Sequence, residues 1–439
     1  MLNRMKILIV GNGGRENAIA WKIYNSSSFK DSNGSLYCTL GNPGIDKLAI
    51  PVKLNSVDIN SITQFVNDNN IDLVVIGPEV PLSLGLADSL NNQTNTKVFG
   101  PSKAAAEIET SKVYSKDFMQ RYDIPTARYK SFGKKNYSDV ESYLDTISYP
   151  AVIKADGLAA GKGVYITVDK SDALKFIRDI SAVKIFGDSG ESFIIEEFLT
   201  GFELSVIVIT DGKDYIVLPA AQDHKKIGEG DTGKNTGGMG AYSPADKLIN
   251  DSIFNKIKSK IIEPALVGLD KDGRTFKGCL YCGLMIVNDN PYVIEFNCRF
   301  GDPETQAILP LIKSDFLQML ISASDNTINK YKLEIFDKFS ACVVAASEGY
   351  PDNFEKGKVI HGLDNIESDA LVFHSGTIME NGNIKSNGGR VVSVVCLSDV
   401  SINDALAKSY NNIMKISFDN IYYRKDIGKK FSELTKNII

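Results

Sequence analysis

Short apolar segments alternate with helix-like segments through residues 6–100 of this 439-residue chain. The apolar segments are four or five residues long and read KILIV, LYCTL, LVVIG and KVFG. The residue pattern predicts a helix at RENAIAWKIY, a second after Asp58 and a third after Pro81. Strands that alternate with helices form a parallel sheet, and ligands bind beyond the carboxyl ends of its strands. The sequence therefore predicts an α/β fold with an N-terminal parallel-sheet domain.

Three glycine-containing loops lie at that predicted edge, with the sequences GNGGRE (11–16), GNPG (41–44) and GPEVP (77–81). A glycine turn that opens a helix offers backbone N–H groups to an anion, and Arg15 adds positive charge. A dinucleotide-binding fold is the main alternative. It is disfavoured because Glu16 occupies the position of the third glycine in GxGxxG, and because the second strand ends without a carboxylate for a ribose. We therefore expect a monophosphate ligand, although GNPG alone fits a simple tight turn equally well.

A second candidate site is the segment IKADGLAAGKGV, in which Lys154 ends a predicted strand and residues 157–163 form a flexible glycine loop. Such a loop can wrap phosphates with its amides. It is not a P-loop, because it is one residue too short and lacks the Ser or Thr after Lys162. We predict nucleotide phosphate binding, and the alternative is an exposed lysine hairpin tip. The next segment, FIIEEFLTGFELSVIVIT, predicts a strand. The carboxylates of Glu196, Glu197 and Glu203 lie among its apolar residues, so we expect them either at a sheet edge or bound to a ligand.

Residues 220–244 form a long polar segment with six glycines, which is too long for an idle turn. It carries Asp223, Lys225, Lys226 and Asn235, so we predict a lid or substrate cradle. His224 is expected to be a hydrogen-bonding loop residue, since the other histidines are far away in the sequence.

The most informative segment is GCLYCGLMIVNDNPYVIEFNCRFGDPETQ at 278–306, which predicts two strands joined by an Asn-Asp-Asn turn. The second strand presents Glu295, Asn297 and Arg299 at alternate positions, so the three side chains share one face. A carboxylate and an amide oxygen suit Mg²⁺, and the arginine suits phosphate or acyl phosphate. The alternative is a solvated strand face with Arg299 in a surface ion pair.

Composition excludes several classes of function. The net charge is −5, which does not favour a nucleic-acid partner. The first apolar run has four residues, too few for a signal peptide or membrane span, so we expect a cytoplasmic enzyme. The six scattered cysteines indicate reduced thiols, and the lone CxxC at 279–282 favours strand packing over a zinc site. No spacing supports a nucleophilic side chain.

Residues 101–123 predict a helix that carries Lys112, with Ser102 as its N-cap. Residues after Tyr331 predict a β-rich unit that includes a strand at ALVFHSGTI and ends in an amphipathic helix from Ile402 to about Ile416. Its GGRV turn, with Arg390, either faces the central site or is a simple hairpin.

Ten motifs occur in order along nearly the whole chain: GNGGRE, GNPG, GPE, IPTA, IKADGLAAGKGV, EEFLTGFELS, QDHKK, DTGKNTGGMGAYSP, EFNCRFGDPETQ and GGRV. Together they resemble the ATP-grasp superfamily, and within it the phosphoribosylamine–glycine ligase family. The resemblance implies three domains. They are an N-terminal substrate-binding domain at 1–101, an ATP-grasp core of two α+β lobes at 102–330 with a flexible lobe at about 124–196, and a small β-rich domain at 331–439.

The resemblance also implies roles for individual residues. It implies that ATP is bound by Lys112, Lys154, Gly161, Lys162, Gly163, Glu196, Glu197, Phe198, Leu199, Glu203, Lys226 and Asn235. Within this set, the resemblance implies that residues 196–199 line the adenine and that Glu203 binds the ribose. It implies that the other substrates are bound by Gly13, Arg15, Glu16, Asn42, Pro78, Glu79, Asp223, Gly238 and Met239. Glu295 and Asn297 would hold Mg²⁺ or Mn²⁺, with Arg299 and Asp302 as catalytic residues near the acyl phosphate.

The implied reaction joins glycine to 5-phosphoribosylamine with ATP, through glycyl phosphate, in de novo purine synthesis. The expected partners are these substrates, with no nucleic acid or membrane, and the chain is expected to be a monomer. Asn17 stands where the family commonly has histidine, and we expect retained binding there. Three alternatives remain open: another ATP-grasp ligase or carboxylase, an NAD-dependent oxidoreductase, and a non-catalytic nucleotide-binding module.

Overall fold

The computed structural model describes residues 4–158, 163–181, 191–245 and 248–429. The N-terminal part is a five-stranded parallel sheet, as predicted, with strand order β3-β2-β1-β4-β5. Its strands are β1 (Lys6–Val10), β2 (Ser35–Thr39), β3 (Ile50–Val52), β4 (Leu73–Ile76) and β5 (Lys97–Phe99). The order reverses between β1 and β4, and the glycine loops after these two strands therefore lie at the point where such sheets bind ligands.

Helices follow the strands of this sheet. They are α1 (Gly14–Tyr24), α2 (Ser27–Asp31), α3 (Ile59–Asn69), α4 (Glu79–Leu84) and α5 (Leu86–Gln93). The helix predicted after Pro81 begins two residues before it, at Glu79, and ends at Leu84. Gly85 separates α4 from α5 because it adopts a left-handed φ of +92°.

The predicted helix from Pro101 to Asp123 is wrong in one respect, because it is two helices, α6 (Lys103–Thr110) and α7 (Lys112–Arg121). Ser102 caps α6 as predicted, with its hydroxyl accepting from the Ala105 N–H. Ser111 leaves the helical conformation and caps α7 in the same way, accepting from the Tyr114 N–H at 3.0 Å. The break places Lys112 in the first turn of α7.

The next unit is a four-stranded antiparallel sheet with order β6-β9-β7-β8 and two helices. Its elements are β6 (Tyr129–Phe132), α8 (Val140–Leu144), β7 (Ala151–Ala155), β8 (Val164–Thr167), α9 (Lys170–Ser181) and β9 (Phe193–Glu197). It has its own apolar core, in which Phe132, Ile153 and Phe193 are buried. This unit corresponds to the first of the two α+β lobes that the resemblance implies.

The strand predicted across residues 193–210 is also two strands, because β9 ends at Glu197 and the chain enters a different sheet at Phe202. The intervening residues connect the two lobes, and Gly201 lies so close to the Ile286 carbonyl that a Cβ would overlap it. The second lobe has order β11-β10-β16-β17. Its strands are β10 (Phe202–Thr210), β11 (Tyr215–Val217), β16 (Gly278–Val287) and β17 (Asn290–Asn297). Its helices are α10 (Asp251–Ile257), α11 (Glu263–Lys271), α12 (Glu304–Ile308) and α13 (Phe316–Ser324), with a π-helical turn (Lys258–Ile262) joining α10 to α11.

The polar segment at 220–244 is not a free lid, because both of its ends join the C-terminal sheet. That sheet has order β12-β15-β18-β22-β19, with β23 paired to β18. The segment forms β12 (Gln222–Asp223), β13 (Lys226–Gly228), β14 (Thr232–Asn235) and β15 (Gly240–Ser243). The other elements of the C-terminal part are β18 (Phe339–Ser347), β19 (Leu371–His374), β20 (Thr377–Glu380), β21 (Asn383–Ser386), β22 (Arg390–Ser398), α14 (Ile402–Ile413) and β23 (Ile421–Tyr422). Strands β20 and β21 form a separate two-stranded sheet.

The C-terminal part differs from its prediction in two details. The predicted strand ALVFHSGTI is divided between β19 and β20, and α14 ends three residues before Ile416. All six cysteines are free and buried, as predicted for reduced thiols. Short 3₁₀ helices occur at Ile45–Lys47, Tyr137–Asp139, Glu229–Asp231, Leu309–Leu311, Ile328–Lys330 and Leu363–Asn365.

Candidate active site

The end of β17 and the two residues after it present an acid, an amide and a guanidinium side by side, as predicted for three side chains that share a face. The Asn297 amide donates to Glu295 Oε1 at 3.4 Å, and Arg299 Nη2 donates to Asn297 Oδ1 at 3.3 Å. A β-bulge lies beside Glu295, because Gly283 faces Glu295 while Leu284 faces Val293. The extra residue, Ile294, turns its carbonyl toward the neighbouring lobe.

Two lysines from distant segments of the chain lie around the Glu295 carboxylate. Lys225 Nζ lies 3.4 Å from Glu295 Oε1 and 3.7 Å from Glu203 Oε2, while Lys154 Nζ donates to the Ile294 carbonyl at 3.1 Å. Burial would raise the pKa of Glu295, but Lys225, Lys154 and Arg299 outweigh it and lower that pKa to about 2. The carboxylate is therefore ionised throughout the neutral range, beside cations that suit a polyphosphate.

A buried ion triad fixes one of these lysines. The Glu196 carboxylate pairs with Lys154 on one oxygen and lies 2.6 Å from Lys116 Nζ on the other. Lys116 also donates to Thr126 Oγ1 at 2.6 Å, and burial lowers its pKa to about 8 despite the opposing effect of Glu196. The sequence prediction missed Lys116, because a lysine one turn after Lys112 on α7 has the same spacing as a surface residue. The Glu196 side chain is thus occupied by lysines, so only its backbone is left for a nucleotide.

Lys112 connects α7 to the base of the glycine loop, where its Nζ donates to the Gly157 carbonyl at 2.8 Å. Asp156 fixes the start of α7, accepting from the Val113 N–H at 3.2 Å. Gly163 closes the loop through its carbonyl, which accepts from the Ala155 N–H at 2.8 Å. The predicted ATP residues Gly161 and Lys162 lie outside the described residues.

The connection between the two lobes contains the predicted adenine-binding residues. The Glu197 carboxylate turns away to Arg128, whose Nε lies 2.8 Å from it. Phe198 and Leu199 follow in irregular backbone, with Phe198 exposed. Glu203 shares Lys225 with Glu295, so the structure brings the predicted ribose ligand close to the predicted metal ligand.

The other two predicted ATP residues, Lys226 and Asn235, lie opposite each other in the β13–β14 hairpin. The residue whose ammonium group joins the Glu295 cluster is Lys225, the immediate neighbour of Lys226. Lys225 lay in the predicted lid, and the sequence did not indicate that it would point toward Glu295.

The GNGGRE loop is organised around the buried Glu16 carboxylate. It accepts from the Gly13 N–H at 2.8 Å and from Arg15 Nε at 2.6 Å. Arg15 also donates to the Phe300 carbonyl at 3.0 Å. Side chains at Gly11 and Gly77 would overlap Glu16, and Pro78 packs beside Gly11. Glu16 therefore shapes the loop through its own hydrogen bonds, and Arg15 ties the loop to the segment after β17.

Asn42 and Asn17 bind the C-terminal sheet. The Asn42 amide donates to the carbonyls of Asn12 (2.9 Å) and His374 (3.0 Å), and its oxygen accepts from the Gly44 N–H at 2.9 Å. Asn17 accepts from the His374 N–H at 2.7 Å and is buried. The Asn17 side chain thus contributes to the contact between α1 and β19, and its role in substrate binding stays a prediction.

Arg299 is held between two carboxylates. Its Nε lies 3.5 Å from Glu79 Oε2, and its Nη2 lies 3.2 Å from Glu109 Oε1. Glu109 also accepts from the Cys298 N–H at 2.7 Å. Burial raises the pKa of Glu109 despite Arg299, whereas at Glu79 the effect of burial is outweighed by Arg299 and Arg15, which lower its pKa. Glu109 was missed by the sequence prediction, because an acid on an amphipathic helix is indistinguishable from a surface residue.

Asp302 pairs with an arginine of the C-terminal sheet, which settles whether the GGRV turn faces the cleft. Arg390 Nη2 lies 3.2 Å from Asp302 Oδ2, and Nη1 donates to the Asp302 carbonyl (2.8 Å) and the Gly237 carbonyl (2.6 Å). Gly238 has φ +110°, and a Cβ there would overlap Asp223. Met239 is fully buried, so its side chain serves the core.

The donor set on β17 fits a divalent cation. Among the described residues, no group of three or more His, Cys, Asp or Glu side chains is placed to hold a metal ion. Glu295 and Asn297 nevertheless provide an ionised carboxylate and an amide oxygen in an open cleft lined with lysines. Such a pair suits Mg²⁺ or Mn²⁺ when water and substrate phosphates complete the coordination.

Two buried histidines lead to a pH prediction. Burial lowers the pKa of both His224 and His374 from 6.5 to about 4. Unfolding exposes them, so between pH 6.5 and 4 the unfolded state binds protons that the folded state excludes. Each histidine therefore lowers the free energy of unfolding by about 2–3 kcal/mol as the pH falls from 6.5 toward 4, and has its full stabilising effect above pH 6.5. Urea unfolding at pH 7 and pH 4.5 measures this loss.

The matched variants for that measurement are His374→Gln and His361→Gln, because His361 is exposed. The His374 variant is expected to lose less stability on acidification than the unmodified chain, and the His361 variant to behave like the unmodified chain. An unchanged acid dependence in His374→Gln would contradict the prediction.

No helix among the described residues is both long enough and apolar enough to cross a membrane. Models of the phosphoribosylglycinamide synthetase family match the N domain at residues 5–109, the ATP-grasp (A) domain at 110–305 and the C domain at 340–430. Phosphoribosylamine–glycine ligase of Caldanaerobacter subterraneus is 44% identical over 424 residues, covering 97% of this chain and 99% of that protein. The Clostridium acetobutylicum enzyme is 42% identical, covering 97% and 100%.

Solved structures agree with this relationship. The phosphoribosylamine–glycine ligase of Thermotoga maritima has a TM-score of 0.82 at 31% identity, covering 96% of this chain and 100% of that one. A biotin carboxylase of Campylobacter jejuni has a TM-score of 0.71 at 16% identity, covering 96% and 93%, and shares the fold. The N-terminal sheet, the two-lobed ATP-grasp core and the β-rich C-terminal part are all present, and the chain belongs to the phosphoribosylglycinamide synthetase family.

Proposed function

We propose that this chain joins glycine to 5-phosphoribosylamine, with cleavage of ATP to ADP and phosphate, and so produces glycinamide ribonucleotide for de novo purine synthesis. Membership of the family supports this proposal, as does nearly full-length similarity to curated phosphoribosylamine–glycine ligases. We further propose that the enzyme acts as a cytoplasmic monomer with divisions near residues 101 and 331. The observation that carries the proposal is the ionised Glu295, which lies among Lys225, Lys154 and Arg299.

ATP would lie between the two lobes, with its base against the backbone of residues 196–199 and its ribose at Glu203. Lys112 and Lys154 would neutralise the phosphates, and the lysine-bound Glu196 would hold Lys154 in place. Lys226 and Asn235 would contact the nucleotide from the β13–β14 hairpin. The loop at 157–163 would close over the phosphates and exclude water.

Glu295 and Asn297 would hold Mg²⁺ or Mn²⁺. When bound, this ion would neutralise phosphate charge and act as a Lewis acid. The remaining catalytic contribution comes from protein side chains that orient the substrates and stabilise charge.

Phosphoribosylamine would bind at the glycine loops of the N-terminal sheet, with its phosphate near Gly13 and Arg15 and its amine toward Glu79. Glycine would bind in the adjoining region, which is lined by Asp223, Gly238 and Asp302. Arg390 stabilises this region through its contacts with Gly237 and Asp302. Arg299 lies between these regions and the Glu295 cluster, because it contacts both Glu79 and Asn297.

The chemistry then follows in two steps. A carboxylate oxygen of glycine attacks the γ-phosphorus of ATP, the bond to the β-phosphate oxygen breaks, and glycyl phosphate and ADP form. The amine of phosphoribosylamine attacks the glycyl carbonyl carbon, loses a proton and displaces phosphate. Arg299 would stabilise the negative charge that develops on the acyl phosphate. No side-chain nucleophile is needed, in agreement with the sequence prediction.

The test is an assay of ADP release with each substrate omitted in turn. We expect release to require both glycine and phosphoribosylamine generated in situ. Bicarbonate, the alternative acid suggested by the carboxylase-like fold, should not replace glycine. ADP release that is insensitive to glycine would overturn the proposal.

A further inference from the structure

A buried arginine near the C-terminus binds the hairpin that carries Lys226 and Asn235. Arg424 is 1% exposed. Its Nη1 donates to the Lys226 carbonyl at 3.0 Å and to Asp231 Oδ1 at 2.8 Å, so it contacts both the first strand of the hairpin and its turn. Its Nε and Nη2 donate to the two oxygens of Asp426, each at 2.8 Å. The guanidinium thus forms ion pairs with two carboxylates.

The residues around Arg424 bind the same segment. The Tyr422 hydroxyl donates to the Ile227 carbonyl at 2.7 Å, and Asp426 accepts from the Gly230 N–H at 2.8 Å. The Gly428 N–H donates to His224 Nε2 at 3.0 Å. We call residues 421–428 the C-terminal clamp. It contacts the segment before the hairpin, its first strand and its turn.

The hairpin depends on this support. A two-stranded hairpin is marginally stable by itself, and β13 and β14 form a two-stranded sheet with an irregular register. The clamp is itself anchored to the C-terminal sheet, because β23 pairs with β18 and the Tyr410 hydroxyl of α14 donates to the Arg424 carbonyl at 2.9 Å. The clamp therefore connects the packing of the C-terminal sheet to the position of Lys226.

We propose that the C-terminal clamp sets the affinity for the nucleotide, with Arg424 as a positioning residue that orients the β13–β14 hairpin for ATP. This inference rests on the proposed function, which places Lys226 and Asn235 at the nucleotide. Arg424 does not contact the reacting atoms. It acts through the Lys226 backbone, so its removal should affect ATP much more than glycine.

The experiment compares Arg424→Lys with Tyr422→Phe, which removes only the hydroxyl contact to Ile227. Small displacements of a binding group cost up to about a hundredfold, so we expect KM for ATP to rise at least about tenfold in Arg424→Lys and by a smaller factor in Tyr422→Phe. KM for glycine should stay within about twofold, because the Asp302–Arg390 contacts do not involve the clamp. Faster amide hydrogen exchange in residues 226–235 should accompany the change.

The control is Ser409→Ala. Ser409 is fully buried in the same part of the chain, and its hydroxyl donates to the Ala341 carbonyl at 2.8 Å, away from the hairpin. Loss of stability alone would change the thermal midpoint of Ser409→Ala without raising KM for ATP. Equal effects of Arg424→Lys on both KM values, or unchanged KM for ATP in both clamp variants, would overturn the proposal.

Lys226→Ala separates this inference from the proposed function. If Lys226→Ala raises KM for ATP and the clamp variants do not, the clamp inference fails and the nucleotide role of the hairpin stands. If Lys226→Ala has no effect on KM for ATP, the hairpin does not bind the nucleotide and the clamp inference fails with it. Glycine-dependent ADP release tests the ligase reaction independently in either case.

Discussion

Glu295→Gln is expected to lower kcat/KM by about 10²–10³, because the change removes the anionic ligand that would share the cation with the ATP phosphates. The variant also removes one negative charge beside Lys225 and Lys154, which keep Glu203 and Glu196 as their other partners. The site then becomes more positive, so metal-free ATP should bind at least as tightly as before. The loss should therefore appear in metal-dependent binding and turnover, which calorimetry with and without Mg²⁺ can separate.

The matched control for that variant is Glu380→Gln. It makes the same charge change in the β20–β21 hairpin, at an exposed carboxylate that lies 2.8 Å from Lys385 Nζ. We expect turnover within about threefold of the unmodified chain, as for a surface ion pair. If Glu295→Gln were as active as this control, the proposed metal role of Glu295 would be wrong.

Arg299→Met is expected to have two separate effects. Without the guanidinium, the carboxylates of Glu79 and Glu109 lose their shared partner, and stability should fall by about 2–4 kcal/mol. Activity should fall by about a hundredfold, because the charge on the acyl phosphate is no longer stabilised. Urea unfolding and steady-state kinetics measure the two effects independently.

The double variant Arg299→Met/Glu109→Gln separates them. Neutralising Glu109, which is almost fully buried, should restore part of the lost stability, because its charge no longer needs a partner. Activity should stay low, since the guanidinium is still absent. Recovery of activity together with stability would show that Arg299 has only a structural role.

Local sequence rules predicted the features that depend on neighbours along the chain. The alternate spacing of Glu295, Asn297 and Arg299, at and just after the end of β17, predicted that their side chains share a face. The strand–helix alternation predicted the parallel sheet. The cap at Ser102 was also predicted correctly. Each of these depends on side-chain direction or backbone hydrogen bonding within a few residues.

The errors and omissions arise where distant segments meet. The Ser111 break is stabilised in part by Asp156, 45 residues away, and β15 becomes a strand by pairing with β18 of the C-terminal sheet. Lys116 resembles any helix lysine until the fold brings Glu196 against it. None of these three contacts leaves a signal in the residue spacing of a single sequence, because each depends on tertiary structure.

The most direct test of the reaction follows the oxygen atoms of glycine. Attack by the glycine carboxylate on the γ-phosphorus makes one of its oxygens the bridge of the acyl phosphate, and displacement by the amine then leaves that oxygen on phosphate. With glycine labelled by ¹⁸O in its carboxylate, mass spectrometry should find one labelled oxygen in each phosphate released. Phosphate without label, formed alongside ADP and the amide product, would contradict a glycyl phosphate intermediate in this cleft.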